Sequence, residues 1–127
     1  MWYYGFRGKR KDNGEWAEGD LLHENDDCFI RANGEEVEVS PETVCVWTLR
    51  FDSNNKRIYK GDIVECTNRV GTIKYKGEVI FKCGAFFIKT FISSGKYEYF
   101  KERLFKDCSN IVVVGNIFDG ERKVESK

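Results

Sequence analysis

Short runs of alternating apolar and polar residues, each ended by turn-forming residues, follow one another along this chain. Alternation with a period of two is typical of β-strands that have one covered face. Two Asn-Gly pairs, Asn13-Gly14 and Asn33-Gly34, predict hairpins with type I′ turns, because such pairs readily take φ > 0 at both central positions. The strands predicted around them are residues 2–7, 15–22, 28–31 and 35–39.

The rest of the chain predicts about five more short strands, the content of a small SH3-like barrel. They are residues 63–67, 70–75 paired with 78–82 around Lys76-Gly77, 85–91 and 111–118, with 43–49 as a connector or strand. The continuous apolar run in 111–118 predicts a central strand buried on both faces. Residues 97–105 are ambiguous, because their apolar spacing is helical over barely two turns.

The stretch formed by residues 57–66 predicts a tight turn that leads into a core strand. Gly61 can supply the φ > 0 conformation, and the Asp62 side chain can accept a hydrogen bond from the backbone just beyond it. Ile63 and Val64 then begin a β-branched run. Every position has a structural role, so the stretch indicates a fold and no catalytic site.

Length and composition favour a mostly-β protein. The chain has 127 residues, of which 41% are hydrophobic and 15% aromatic, and one proline, Pro41. This size fits one domain, or one small domain with an ordered appendage. We predict an SH3-like small barrel in the C-terminal half, residues 43–127, with N-terminal β-hairpins, residues 1–42, packed on it.

The net charge is zero, but the charges are distributed unevenly. Residues 1–42 hold five basic and eleven acidic side chains, a balance of −6, and residues 43–127 hold sixteen basic and ten acidic ones, a balance of +6. Attraction between the two halves within one molecule is the first interpretation. The alternatives are a basic face that binds nucleic acid and an acidic segment that binds a basic protein.

The cysteines and the N-terminus favour a reducing, cytoplasmic location. The five cysteines show no C-x-x-C spacing, so neither a metal site nor a disulfide framework is predicted, and most of the thiols are expected to be reduced and to act as small buried hydrophobes. Aromatic residues precede the basic run at 9–11, the reverse of a secretory signal. No run of about 18 apolar residues predicts a membrane span.

Chemistry-bearing motifs are scarce. His23 lies among Glu24, Asp26 and Asp27, but this spacing matches no metal loop. A Cys–His nucleophilic pair would require His23 to meet a thiol in space, which the spacing does not indicate. The chain has no Walker A loop, no dinucleotide fingerprint and no nucleophile elbow. We therefore predict no enzyme, no metal, no cofactor and no small-molecule substrate.

Two groups of residues are candidates for binding a macromolecule. Lys74, Lys76, Lys82 and Lys89 accompany Tyr75, Phe81, Phe86 and Phe87, a mixture that can follow phosphates and stack bases. Strand alternation predicts rings in the core and lysines outside without any ligand, so core packing of the rings is favoured. Trp2, Tyr3 and Tyr4, together with Trp16, are candidate anchors for a protein partner or for self-association.

Four short motifs follow one another in order along nearly the whole chain. They are residues 11–16 (K-D-N-G-E-W) with Gly19, 39–44 (V-S-P-E-T-V), 57–64 (R-I-Y-K-G-D-I-V) and 114–118 (V-G-N-I-F). This set resembles the YopX family of small phage and prophage proteins, whose function is uncharacterised. The family usually has a glycine where this chain has Leu49, so a partner contact made by that glycine would be altered here.

The resemblance implies a mostly-β fold with an SH3-like barrel and a phage or prophage origin, but it implies no activity. It implies structural roles for Trp16, Pro41, Gly61, Asp62, Gly115 and Asn116. We expect a non-enzymatic accessory protein of the host-cell cytoplasm that binds a macromolecule, with a protein partner or self-association ranked first. The alternative is a single-stranded nucleic-acid binding protein that uses the lysine and aromatic strands.

Overall fold

The computed structural model describes residues 5–91 and 97–121, in which β-strands predominate. The chain divides into two compact units, Met1–Leu49 (unit one) and Arg50–Lys127 (unit two). The division falls inside one strand, Cys45–Phe51. The mostly-β prediction is confirmed. The domain boundary predicted between residues 42 and 43, and the packing of the hairpins on the second half, stay predictions.

Unit one is an antiparallel sheet. Its elements are β1 (Phe6–Lys9), β2 (Trp16–Glu24), β3 (Asp27–Ala32), β4 (Glu35–Val39), a 3-10 turn (Pro41–Thr43) and β5 (Cys45–Phe51), which ends in unit two. The strand order is β4-β3-β2-β1-β5. Because β2 also pairs with β3, the two predicted hairpins form one continuous sheet. The buried core consists of Cys28, Ile30 and Val39.

The two predicted Asn-Gly turns differ in conformation. Asn33 and Gly34 have φ of 54° and 81°, as a type I′ turn requires. At the first hairpin only Gly14 has positive φ, 76°, and the loop is longer, with the Arg10 amide donating to the Glu15 carbonyl at 2.8 Å. The type I′ prediction was therefore wrong for Asn13, whose side chain instead accepts a hydrogen bond from the Glu15 amide at 2.9 Å.

Unit two contains a larger antiparallel sheet. Its elements are β6 (Arg57–Tyr59), β7 (Asp62–Asn68), β8 (Lys74–Lys82), β9 (Ala85–Phe91), β10 (Tyr97–Arg103), the short helix α1 (Leu104–Asp107), β11 (Cys108–Asn116) and β12 (Gly120–Glu121). The sheet order is β10-β9-β8-β7-β11-β12, and β6 pairs with β5. The buried core consists of Ile58, Val64, Cys66, Val79, Ile88, Leu104 and Cys108.

One predicted turn of unit two was wrong. Lys76 and Gly77 lie inside β8, and the chain reverses earlier, at a turn where Gly71 has a φ of 80°. The Asn68 side chain holds that turn by accepting from the amides of Thr72 and Ile73 at 2.8 and 3.0 Å. Gly77 is needed for close packing, because a Cβ there would clash with the carbonyl oxygen of Lys89.

The SH3-like barrel is not confirmed. In the described part of unit two, β10 and β12 form the two edges of the sheet, and no closed barrel is formed. Strand β11 lies between β7 and the two-residue β12, and its apolar residues at positions 111–114 are only half-buried. The prediction of burial on both faces was wrong, because residues 111–116, whose side chains alternate between the two faces, are all only half-buried. No helix among the described residues is long and apolar enough to cross a membrane.

Candidate nucleic-acid interface

The four candidate lysines lie on one face of the unit-two sheet. Lys74, Lys76 and Lys82 occupy positions of the same parity on β8, so they point to the same side, and all three are exposed. Lys89 on β9 pairs with Glu78, which has that same parity. The structure therefore brings all four lysines to one face, which we call the lysine face.

The aromatic residues predicted to accompany the lysines separate between the two faces. Tyr75 and Phe86 pack against the buried core, as strand alternation predicts. Phe81 contacts Phe86 edge to face, with ring centroids 5.0 Å apart. Phe87 pairs with Ile80 and so lies on the lysine face. Of these four rings, Phe87 is the one placed beside the lysines.

A shallow depression of about 460 Å³ opens on the lysine face, and we call it the lysine depression. It is lined by Glu65, Cys66, Thr67, Lys74, Tyr75, Lys76, Asn110 and Val112. The Lys76 ammonium lies 3.9 Å from the Glu65 carboxylate across the β7–β8 pair. An exposed pair of this kind contributes at most about 1 kcal/mol and is screened by salt, so Glu65 does not prevent the lysines from meeting an anion.

Asn110 marks an irregularity in β11 beside this depression. The pairing of β11 with β7 shifts register between Ser109 and Val112, and Asn110 has a φ of 55°. Bulges of this kind turn side chains to new directions. The Asn110 amide nitrogen lies 3.4 Å from the Thr67 hydroxyl. Asn110 also lines a second depression, so the two depressions adjoin at this residue.

The second depression, of about 390 Å³, carries two guanidinium groups, and we call it the arginine depression. It is lined by Arg50, Phe51, Asp52, Ser53, Arg69, Phe105, Cys108, Ser109, Asn110 and Ile111. The Arg50 guanidinium carbon lies 5.0 Å from the centre of the Phe105 ring. Arg69 donates to the carbonyls of Lys106 and Phe105 at 2.6 and 3.2 Å, at the end of helix α1.

The Asp52 carboxylate, which lines the arginine depression, accepts three backbone hydrogen bonds. One oxygen accepts hydrogen bonds from the amides of Asn54 and Lys56, both at 2.8 Å. The other accepts from the Val113 amide on β11 at 2.9 Å. Asp52 is buried, and the hydrogen bonds that its carboxylate accepts hold the turn that follows β5 against β11.

Sequence reasoning missed Arg50, Arg69 and Asn110. The polar run at 52–56 did predict a turn, but the hydrogen bond from Val113 to Asp52 spans 61 positions. Arg69 lies in a turn that was predicted elsewhere. A left-handed conformation is commoner for asparagine than for most residues, and this was the one local signal at Asn110.

The residues of the family motifs have structural roles. Gly61 has a φ of 93°, and the buried Asp62 carboxylate accepts from the Tyr59 amide at 2.7 Å, before rather than beyond it in sequence. Pro41 begins the 3-10 turn. Gly115 pairs with Ile63.

Asn116 and Trp16, the remaining motif residues, also make contacts within the protein. The Asn116 side chain accepts from the amides of Phe118 and Asp119 at 2.9 and 2.8 Å, which shapes the turn before β12. Trp16 is half-buried, and its ring is 4.4 Å from the Arg7 guanidinium carbon and 5.3 Å from the Lys9 ammonium. These cations cover part of the ring that was proposed as an anchor. Trp2, Tyr3 and Tyr4 lie outside the described residues.

His23 does meet a thiol. It pairs with Cys28 across the β2–β3 hairpin, and the Cys28 sulfur lies 3.5 Å from His23 Nδ1. The thiol is 5% exposed and packs with Ile30 and Val39, whereas a nucleophile must reach its substrate. The contact is therefore best explained as a hydrogen bond at the rim of the core. Within residues 5–91 and 97–121, no three metal-ligating side chains converge.

The thiols of Cys66 and Cys108 are neighbours in the core of unit two. The hydrogen bond with Cys108 raises the pKa of Cys66 well above that of an ordinary thiol, and burial adds to the effect. Cys66 therefore stays a neutral thiol at physiological pH. A thiol in this state is a poor nucleophile and a poor metal ligand, so the pair is part of the apolar core.

Comparison with known proteins identifies the family of the chain but gives no named relative. No curated protein sequence matches the chain. A family model described as YopX protein matches residues 5–123. The match includes all four ordered motifs and every described strand. The chain therefore belongs to the YopX family.

Proposed function

We propose that this YopX-family member is a non-enzymatic phage or prophage protein of the host-cell cytoplasm, and that unit two binds single-stranded nucleic acid. The observation that supports this proposal is the placement of Lys74, Lys76, Lys82 and Lys89 on one face, beside a shallow depression. From the sequence we ranked a protein partner first. The common face of the lysines now favours the nucleic-acid alternative.

The chemistry of the lysine face suits a single strand better than a duplex. Lysines can follow a phosphate backbone, while Ile80 and Phe87 offer apolar surface on the same face for unstacked bases. Unit two carries sixteen basic and ten acidic side chains, a balance of +6, so its field attracts polyanions. The described residues include no long helix that could enter a major groove.

The test is fluorescence anisotropy with a labelled oligothymidylate of about 16 nucleotides, titrated between about 50 and 200 mM salt. The Lys74→Ala/Lys76→Ala double variant should bind about tenfold more weakly, and its salt slope should fall by about 1.4, since each single-strand phosphate contact contributes about 0.7. The matched control, Lys11→Ala/Lys60→Ala, removes two lysines outside the lysine face and should bind like the wild type.

Two results would contradict the proposal. One is the absence of binding by the wild type at low salt. The other is an equal loss of affinity in the control variant, which would mean that only the total charge matters. Far-UV circular dichroism should be the same for both variants, because all four substituted lysines are solvent-facing.

A protein interface is the second candidate, supported by the turn between β7 and β8. Val70 and Ile73 are 78% and 50% exposed there, side by side with the basic Arg69. Exposed apolar side chains at one turn are typical of a contact surface. Sedimentation equilibrium of the wild type and of a Val70→Ser/Ile73→Ser variant would test self-association. A monomer at all concentrations would exclude it.

A further inference from the structure

The arginine depression joins two features that recognise different parts of a nucleotide. Arg50 and Arg69 present guanidinium groups, whose planar donor array fits phosphate oxygens. Phe51 lies in the same depression with 51% of its surface exposed, although large apolar side chains are usually covered. The Arg57 guanidinium carbon lies 5.7 Å from the centre of the Phe51 ring, so a third cation stands beside this exposed ring. Arginine beside an exposed ring is the combination that binds a phosphate and stacks the adjoining base.

The depression is held in shape by the protein itself. Asp52 ties the turn after β5 to β11 through the Val113 amide, and the Ser53 amide donates to the Ile111 carbonyl at 2.8 Å. Arg69 is fixed on the end of helix α1 by bonds of 2.6 and 3.2 Å. A ligand would therefore lose little affinity to ordering of this surface.

The position of the depression connects it to the lysine face. Asn110 lines both depressions, and Lys74, Thr67 and Ser109 lie opposite one another on β8, β7 and β11. Two strand spacings, about 10 Å, therefore separate the lysines from the rim of the arginine depression. A chain lying on the lysine face can continue past Asn110 without leaving the surface.

We propose that the arginine depression is a nucleotide subsite, which binds one phosphate of the single strand through Arg50 and Arg69 and stacks the adjoining base on Phe51. This inference rests on the proposed function of the lysine face and extends it. An acidic peptide would also be attracted by the arginines, but it would have no planar base to place on the exposed ring.

The test uses the same anisotropy titration with Arg50→Ala and Phe51→Leu. Each variant should bind the oligothymidylate about tenfold more weakly, the effect of losing one stacked base or one arginine–phosphate contact. Arg50→Ala should also reduce the salt slope by about 0.7, whereas Phe51→Leu should leave the slope unchanged, because leucine removes the ring without changing charge. Lys60→Ala is the control, since Lys60 is exposed and lines neither the arginine depression nor the lysine depression.

The fluorescence of a base analogue reports stacking on Phe51 directly. A variant that only altered the structure of unit two would not remove this signal while the oligonucleotide stays bound. An oligothymidylate with one 2-aminopurine should change its fluorescence on binding to the wild type, and this change should be lost in Phe51→Leu. Circular dichroism of each variant serves as the check on folding.

The outcomes separate this inference from the proposed function. Wild-type affinity and salt slope in Arg50→Ala and Phe51→Leu, with a loss in Lys74→Ala/Lys76→Ala, would overturn the subsite and leave the lysine face in place. No binding by the wild type would overturn both. Competition by polyglutamate as strong as by oligothymidylate, lost in Arg50→Ala but kept in Phe51→Leu, would assign the depression to an acidic protein and overturn the nucleotide subsite.

Discussion

The two units of this protein are built from the same kind of antiparallel sheet but carry opposite charge. Unit one has five basic and eleven acidic side chains, a balance of −6, and unit two has sixteen and ten, a balance of +6. On β2 the outward positions hold Glu18 and Asp20, and on β8 they hold Lys74 and Lys76. Along each strand, the side chains that face inward determine how the sheet packs, and the alternate side chains that face outward determine which charges the sheet attracts.

The inward positions even use the same device in both units. Gly19 on β2 lies against Ile30 and the carbonyl oxygen of Arg31, and a Cβ there would clash with that oxygen. Gly77 on β8 lies in the same way against the carbonyl oxygen of Lys89. Each glycine allows its strand to approach the neighbouring backbone closely.

The largest expected effect is the loss of these close approaches. Gly19→Ala and Gly77→Ala should each destabilise the protein by about 3 kcal/mol, the upper end for overpacking, because a backbone carbonyl cannot move aside as a side chain can. Urea unfolding measures the effect. Gly5→Ala is the control, since nothing lies within 4 Å of its Cβ position, and it should change stability by less than about 0.5 kcal/mol.

The same experiment asks whether the units unfold together. All three tryptophans, at positions 2, 16 and 47, belong to unit one, so their fluorescence reports unit one, while circular dichroism reports both units. If Gly77→Ala shifts the fluorescence transition as much as the dichroism transition, the units unfold as one. A shift in dichroism alone would show independent units. If Gly77→Ala left the free energy of unfolding nearly unchanged, Gly77 and Gly19 would not have equivalent packing roles.

The second prediction compares the side chains that fix a turn in each unit. In unit one the Thr43 hydroxyl accepts from the Lys9 amide at 2.8 Å and donates to the Ser40 carbonyl at 2.6 Å. In unit two the Asp52 carboxylate accepts from three amides. Because bonds to a charged acceptor are about twice as strong, Asp52→Ala should cost about 3 kcal/mol and Thr43→Val about 1–2 kcal/mol.

Urea unfolding of the two variants, compared at equal protein concentration, checks this ranking. Asp52→Asn is the matched variant, because it keeps one acceptor oxygen without the charge and should fall between the wild type and Asp52→Ala. A larger loss for Thr43→Val than for Asp52→Ala would contradict the ranking. It would mean that the turn held by the neutral Thr43 hydroxyl contributes more to the free energy of unfolding than the turn held by Asp52.

The third prediction concerns the residue at which unit one ends. Leu49 has a φ of 69° and is 64% exposed, and it stands where the family resemblance leads one to expect glycine. A left-handed conformation costs a non-glycine residue about 1–2 kcal/mol, and glycine loses about 0.5–1 kcal/mol of chain entropy on folding. Leu49→Gly should therefore stabilise the protein by roughly 0.5–1 kcal/mol.

The melting temperature measures this gain, and Leu49→Ala separates its causes. Alanine removes the exposed side chain but keeps the strained backbone, so Leu49→Ala should not be stabilised. Equal melting temperatures for Leu49→Gly and the wild type would show that the position carries no strain. The glycine that the family usually has at this position would then need an explanation other than backbone conformation.

The sequence predicted strands well wherever a local turn fixes their ends. Strands β4 and β9 were predicted with their observed bounds, because Asn33-Gly34 and Cys83-Gly84 provide the left-handed residues before them. Gly77 was misinterpreted as part of a turn. A single sequence does not distinguish a glycine that a turn needs from one that allows a neighbouring strand to approach closely. The common parity of the lysines on β8 was not predicted, because the turn expected at Lys76-Gly77 divided this strand in two. The arginine depression was not predicted either, because it depends on a bulge and on the contact of Asp52 with Val113.

The smallest expected effect is a surface pair in the first hairpin of unit one. The Arg10 side chain donates to Asp12 at 3.0 and 2.9 Å, and this hydrogen bond and the charge of Arg10 lower the pKa of Asp12 below its ordinary value of 3.8. A lowered carboxyl pKa stabilises the folded state above the ordinary pKa, and this contribution is lost as the pH falls through the lowered value. Both side chains are solvent-exposed, so salt should weaken the pair.

The measurement is the difference in melting temperature between the wild type and Asp12→Asn, followed from neutral pH to below about pH 3. The wild type should melt slightly higher at neutral pH, and the difference should shrink as Asp12 becomes protonated, since both proteins then carry an uncharged side chain at this position. Raised salt at neutral pH should have the same effect. A difference that stays constant across the acid range would assign the stabilisation to the geometry of the hairpin loop and not to charge, and the acidic character of unit one would then contribute nothing to its first turn.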